Sequence, residues 1–275
     1  MFELWLPVIF GIFIWWFATG LVLLLDGLPH TTFRWSLLIS SLLAIGALVG
    51  LAHTADQITA LGVYCAFTCA LLVWGWHELT FLTGSLTGPR KTAFVPNKDG
   101  SGRFSQAVAA ILWHELAIIA CGLLIVAITW GAQNQIGTWT FLVLWIMRTS
   151  AKLNLYFGVR NLSEEFLPAH LAYMGSYFLK RRMNFFLPLS VVGSSIVLAL
   201  LLVRAFEPGS PSATTVGLLL VSTMLAMAIL EHLLLVLPLQ STALWKWALR
   251  NRKTEATIAP DLATRPKHED FLHAG

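Results

Sequence analysis

Seven stretches of this sequence are apolar over close to 20 residues, the length a helix needs to cross a bilayer's hydrocarbon core. They run Leu4–Leu25, Trp35–Ala52, Ile58–Leu82, Ser105–Gly131, Gly137–Phe157, Phe185–Phe206 and Ala213–Leu239. In lipid no water satisfies the backbone, so a segment of this kind must be an α-helix. The expected fold class is therefore all-α: a polytopic membrane bundle of about seven transmembrane helices.

Composition agrees. Of the 275 residues, 57% are hydrophobic and 12% are charged. Soluble domains carry about 25% charged residues, so the chain cannot cover a water-facing surface. The net charge of +4 belongs to loops in such a protein and does not indicate a nucleic-acid partner. Cys65, Cys69 and Cys121 lie in apolar runs with no zinc or redox spacing. The opening MFELWLPVIF has no basic leader and no small-residue cleavage site, so a retained span is expected there. No P-loop, GxGxxG, GxSxG or Ser/His/Asp arrangement occurs.

Basic residues orient the bundle, because loops rich in Lys and Arg stay in the cytoplasm. Residues 88–104 hold Arg90, Lys91, Lys98 and Arg103; Lys180, Arg181 and Arg182 precede the sixth run; Lys246, Arg250, Arg252 and Lys253 follow the seventh. The alternate turns His53–Gln57, Ala132–Ile136 and Glu207–Ser212 hold neither Lys nor Arg. A periplasmic amino end and a cytoplasmic carboxyl end follow. Residues 1–250 read as one transmembrane helical domain with an irregular cytoplasmic loop at 88–104. Residues 251–275 read as a polar, disordered cytoplasmic tail. Within residues 161–183, Leu162, Phe166, His170, Tyr173 and Tyr177 recur at helical spacing before a basic run, which predicts an amphipathic helix at the interface. Trp5, Trp15, Trp16, Trp35, Trp245 and Trp247 read as an interfacial belt.

Charged groups at bilayer depth cost about 2.5–3.5 kcal/mol each, so each one requires a reason. The tetrapeptide Trp-His-Glu-Leu occurs twice, at 76–79 and at 113–116, in neighbouring antiparallel spans. Counted from the basic linker, His77–Glu78 and His114–Glu115 fall at one depth. Glu231–His232 in the last span, Arg148, Lys152 and Asn154 in the fifth, and Glu164, Glu165 and His170 just below converge on the same layer.

Three readings of this layer are open. It is a network of buried pairs that fixes helix packing. It is a His/Glu-ligated iron or similar metal site, with His77, Glu78, His114, Glu115, Glu164, Glu165, His170, Glu231 and His232 as the donor pool. Against that, adjacent His and Glu point about 100° apart on a helix. Or His77, His114, His170 and His232 offer ligands to a bacteriochlorophyll-type tetrapyrrole walled by Trp76, Trp113 and Trp145.

Gly75–Arg90 (GWHELTFLTGSLTGPR), Lys152–His170 (KLNLYFGVRNLSEEFLPAH) and Tyr177–Pro188 (YFLKRRMNFFLP) resemble the photosynthetic complex assembly protein family of purple phototrophic bacteria. The likeness covers roughly residues 5–250, and its members are encoded near the reaction-centre H subunit gene. It implies a multi-pass protein of the bacterial inner or intracytoplasmic membrane. It also implies that the protein helps to assemble reaction-centre and light-harvesting complexes, with those subunits, and bacteriochlorophyll, as partners. No catalytic residues come with it. A membrane metalloenzyme acting on a pigment or its precursor is the alternative expectation.

Overall fold

The computed structural model describes residues 2–96, 102–162, 164–237 and 244–249, with the side chains of Phe2, Glu3 and Glu165 outside that description. The polar tail 251–275 and residues 97–101 of the basic loop also lie outside it. The described residues form seven α-helices: α1 Phe2–Asp26, α2 Phe33–Thr54, α3 Ala60–Leu82, α4 Arg103–Ile128, α5 Ile136–Phe157, α6 Phe186–Ala205 and α7 Ser212–Leu234. No strand forms among them; a single parallel bridge joins Val159 to Lys180. Six helices are long and apolar enough to cross a membrane, all except α5, so the chain is a multi-pass membrane protein.

Polar residues set the helix ends. Thr59 caps α3 by accepting from the Gly62 amide at 3.1 Å. Asn184 caps α6 by accepting from the amides of Phe186 and Leu187, while its own amide donates to the carbonyls of Asn154 and Gly158. One side chain thus starts α6 and fastens it to the end of α5. Gly158 ends α5 at φ 111°, a backbone angle that side chains rarely tolerate. At the opposite end of the bundle, Asn134 binds the carbonyls of Thr54 and Gln57 and joins two short turns.

The core lies along α3. Ala47, Leu51, Ala66, Ala70, Val73, Ile118 and Phe141 pack α2, α4 and α5 on one side of it. Phe67, Leu71, Leu220 and Met224 pack α7 on the other. Small residues at these crossings let the backbones approach closely, as membrane helices require.

Residues 161–183 do not make one amphipathic α-helix. Two 3-10 stretches form instead, Glu164–Phe166 and Ala169–Tyr177. Pro168 sits between them, lacks an amide donor and disfavours the α conformation of the residue before it. Leu171, Met174 and Tyr177 are buried at every third position, the period of a 3-10 turn. Leu171 and Met174 pack inward with Phe81, Leu82 and Trp245 and cap the bundle, while the Tyr177 hydroxyl donates to the Thr92 carbonyl at 2.9 Å.

The basic loop is likewise less solvated than its composition predicts. Residues 83–96 lie back along the first turns of α4. The His114 amide donates to the Thr87 carbonyl at 2.9 Å, the Arg90 amide to the Ala109 carbonyl at 3.3 Å, and the Gln106 side chain brackets Val95. Gly88 permits this contact. A Cβ there would stand 2.0 Å from the Ala109 carbonyl oxygen.

Candidate functional site

A cavity of about 390 Å³ occupies the middle of the helix ring, above the 3-10 cap. Helix α5 lines it with Leu144, Met147, Arg148, Ala151, Lys152 and Leu155, the spacing of one helical face. Helix α7 adds Met224, Ala228 and Glu231, and α3 adds Trp74, Gly75 and Glu78. Phe166, Met174 and Trp245 form its floor. The polar face that makes α5 the least apolar long helix thus turns inward to the cavity.

The three carboxylates that lie in helices α3, α4 and α7 are each engaged. Arg148 Nη2 donates to Glu78 Oε2 at 2.9 Å. Lys152 Nζ is ion-paired with Glu115 Oε1. The Trp15 indole donates to Glu231 Oε1 at 2.9 Å. Charge-assisted bonds of this kind offset the cost of holding ions in a low-dielectric interior. Trp15 therefore faces inward, although its position in the sequence predicts an interfacial belt. Trp245 does too, with its indole bonded to the Trp16 carbonyl at 3.0 Å.

The histidines do not line the cavity. His77 and His114 are fully buried side by side between α3 and α4, with Phe81 against the His114 ring at 4.6 Å between centroids. His232 turns toward α5, with Nδ1 2.8 Å from the Ala228 carbonyl and Nε2 3.0 Å from Ser150 Oγ. A carbonyl can only accept, so Nδ1 carries the proton. His170 is on the cap, its Nε2 2.8 Å from the Leu82 carbonyl at the end of α3. Burial holds its pKa below the ordinary 6.5, partly countered by that carbonyl; His30 and Lys91 lower it further. Glu164 is exposed on the cap beside Gly175, and the Glu165 side chain is outside the described residues.

The eight candidate donors with described side chains are thus distributed rather than gathered. Among the described residues no three His, Cys, Asp or Glu side chains come together as a metal-holding group. Nor do Trp76, Trp113 and Trp145 frame a flat slot. Trp76 donates to Ser41, Trp113 is half exposed, and Trp145 packs on the α2–α5 core.

The family described as "Protein of unknown function (DUF3623)" matches residues 1–256. The chain belongs to this family. It is also 36% identical, over 95% of its length and 97% of the relative's, to an "Uncharacterized 30.4 kDa protein in puhA 5'region" of Rhodobacter capsulatus. No solved structure matches it.

In this DUF3623 chain the arrangement can do one thing chemically that a packed bundle cannot. It presents an ion-pair layer to an otherwise apolar cavity of ligand size. Sequence reasoning finds the charges but not the cavity, because Trp74, Gly75, Phe81 and Met174 read as ordinary span or loop residues. The signal that could have found it is the α5 stripe, where polar and apolar residues share one face at i, i+3, i+4 and i+7.

Proposed function

We propose that this protein is an integral-membrane assembly factor for photosynthetic reaction-centre and light-harvesting complexes. The observation that carries the reading is a relative, similar along nearly the whole chain, whose name places it in the puhA 5′ region, beside the reaction-centre H gene. The intramembrane cavity supports it, since an apolar chamber can take up part of a membrane-soluble molecule such as bacteriochlorophyll while subunits associate. Reaction-centre and antenna subunits are its partners in this reading, in the inner or intracytoplasmic membrane, with no nucleic acid.

All seven helices cross the bilayer in this proposal, α5 with its polar face inward. The amino end is periplasmic and the carboxyl end cytoplasmic. Arg90, Lys91, Arg160, Lys180, Arg181 and Arg182 collect in loops at one end, while turns 55–59, 129–135 and 206–211 at the other carry no Lys or Arg. A metalloenzyme has less support, because Glu78, Glu115 and Glu231 already bond to Arg148, Lys152 and Trp15.

The test is a deletion strain of a phototrophic host complemented with this gene. Loss of reaction-centre absorbance on deletion and its return on complementation are expected. Unchanged reaction-centre and antenna absorbance after deletion would overturn the proposal.

A further inference from the structure

Two side chains bring polar atoms to the cavity that the surrounding protein leaves open. Arg148 keeps 42% of its side-chain surface accessible although it sits in the helix ring, and its only hydrogen bond among the described residues runs from Nη2 to Glu78. The residue lines the chamber, and its remaining N–H groups are donors without a partner among the described residues. Glu231 lines the same chamber and gives one oxygen to Trp15; no Lys, Arg or His lies within ion-pair distance of it among the described residues. Its other oxygen accepts no hydrogen bond among the described residues. Arg148 and Glu231 line the same chamber, so the free donors and the free acceptor belong to one site.

The acidic and basic groups decide which head group such a site takes. Glu78 is matched by Arg148 and Glu115 by Lys152, which leaves the Glu231 carboxyl with no cation paired to it among the described residues. An anionic head would put a second acidic group without a cation of its own into a low-dielectric chamber and is disfavoured. A quaternary ammonium would match Glu231 but leave the Arg148 donors without an acceptor. A neutral head that offers C=O and N–H on the same carbon satisfies both, with the carbonyl on Arg148 and the N–H on Glu231. The rest of the wall is apolar and aromatic, with Met147, Met174 and Met224 able to adjust to an irregular shape.

From this geometry we infer that the cavity is a binding site for a membrane amphiphile with a long apolar body and a neutral, amide-like head held between Arg148 and Glu231. The inference does not depend on the assembly role and stands whether or not that role holds. Binding requires no chemistry on the ligand.

The test uses the full-length protein in nanodiscs of neutral lipid, with oleamide, oleate and oleyl-trimethylammonium as probes of matched chain. Native mass spectrometry reads stoichiometry, and thermal shift reads affinity. One oleamide per chain is expected, at least tenfold tighter than the other two probes. Gly75→Leu is expected to abolish it, because a Cβ at Gly75 meets nothing within 4 Å and the residue lines the cavity. Glu231→Gln removes the unmatched acidic group but keeps an acceptor, so it should admit oleate to within a few-fold of oleamide. Oleate binding the wild type as tightly as oleamide would overturn the inference. So would binding that survives Gly75→Leu, as belt lipid would, or no probe bound at all. Should Gly75→Leu fail to accumulate, the change of preference in Glu231→Gln decides.

Discussion

The imidazole rings of His77 and His114 meet edge to face with centroids 6.3 Å apart, and none of their four nitrogens has a hydrogen-bond partner among the described residues. A buried polar group left in that state costs about 1–3 kcal/mol. Replacing one ring by an apolar ring of similar shape removes that cost and adds little strain. His114→Phe is therefore expected to keep or raise the thermal midpoint of the purified protein, at wild-type abundance in the membrane. A loss of more than about 2 kcal/mol would show instead that the ring nitrogens hold a bound species.

The Glu115–Lys152 pair behaves differently, because each partner exists to neutralise the other. Each side chain is 21% accessible, so the pair is partly shielded rather than fully buried. Glu115→Gln strands the ammonium of Lys152 at bilayer depth, which costs about 2.5–3.5 kcal/mol on insertion scales. The expected result is reduced membrane abundance and a lower thermal midpoint. The double change Glu115→Gln with Lys152→Met should recover most of both. Failure of the double variant to recover would mean that the lysine serves something other than the glutamate.

Gly88 gives a prediction of backbone origin. Its Cβ would also meet the carbonyl carbon of Ala110 at 2.6 Å, and neither helix backbone nor loop can yield there. Gly88→Ala is expected to cost more than the 1–3 kcal/mol usual for overpacking, and to detach residues 83–96 from α4. Gly46→Ala is the control. Nothing lies within 4 Å of a Cβ at Gly46, and alanine favours a helix by about 1 kcal/mol over glycine. Limited proteolysis in the 83–96 segment should rise in the first variant and stay unchanged in the second.

How far the sequence revealed these features depends on whether the cause is local. Helix existence is local, since some 20 apolar residues in lipid have one satisfactory conformation, and all seven long helices lie where the apolar runs are. The depth of the Trp-His-Glu-Leu repeats is also countable along the chain, and His77 and His114 are neighbours. Direction was the harder part. On a helix His77 and Glu78 point to different sides, and only the packing of α5 shows that the carboxylate faces the cavity while the imidazole faces α4. Pro168 was visible, but the burial of Leu171 and Met174 depends on Phe81 and Trp245, distant in sequence. Trp15 gave no sign of its role, because its partner Glu231 is 216 residues away.

Topology can be checked by reporter fusions at two points. The turn 129–135 carries no Lys or Arg, and residues 158–185 carry Arg160, Lys180, Arg181 and Arg182. A periplasmic reporter fused after Gly131 and a cytoplasmic reporter fused at the carboxyl end are both expected to be active. A reporter after Gly131 that works only in the cytoplasm would show that α5 does not follow α4 across the bilayer as an antiparallel span. The six-span arrangement would then replace seven.

His170 should make the cap sensitive to acid. Its pKa is held below 6.5, chiefly by burial, so the folded chain binds fewer protons at this ring than the unfolded chain does. A depressed value stabilises the fold above the unfolded pKa, and that contribution is lost as pH falls through 6.5 toward the folded value. Protonation would also bring positive charge closer to His30 and Lys91, both of which already disfavour it. His170→Gln retains an N–H that can reach the Leu82 carbonyl but cannot titrate in this range. The wild type should therefore lose more thermal stability than His170→Gln between about pH 7 and pH 5.5, the window below the ordinary histidine value. Parallel pH profiles of the two proteins would show that the ring is protonated as freely in the fold as outside it.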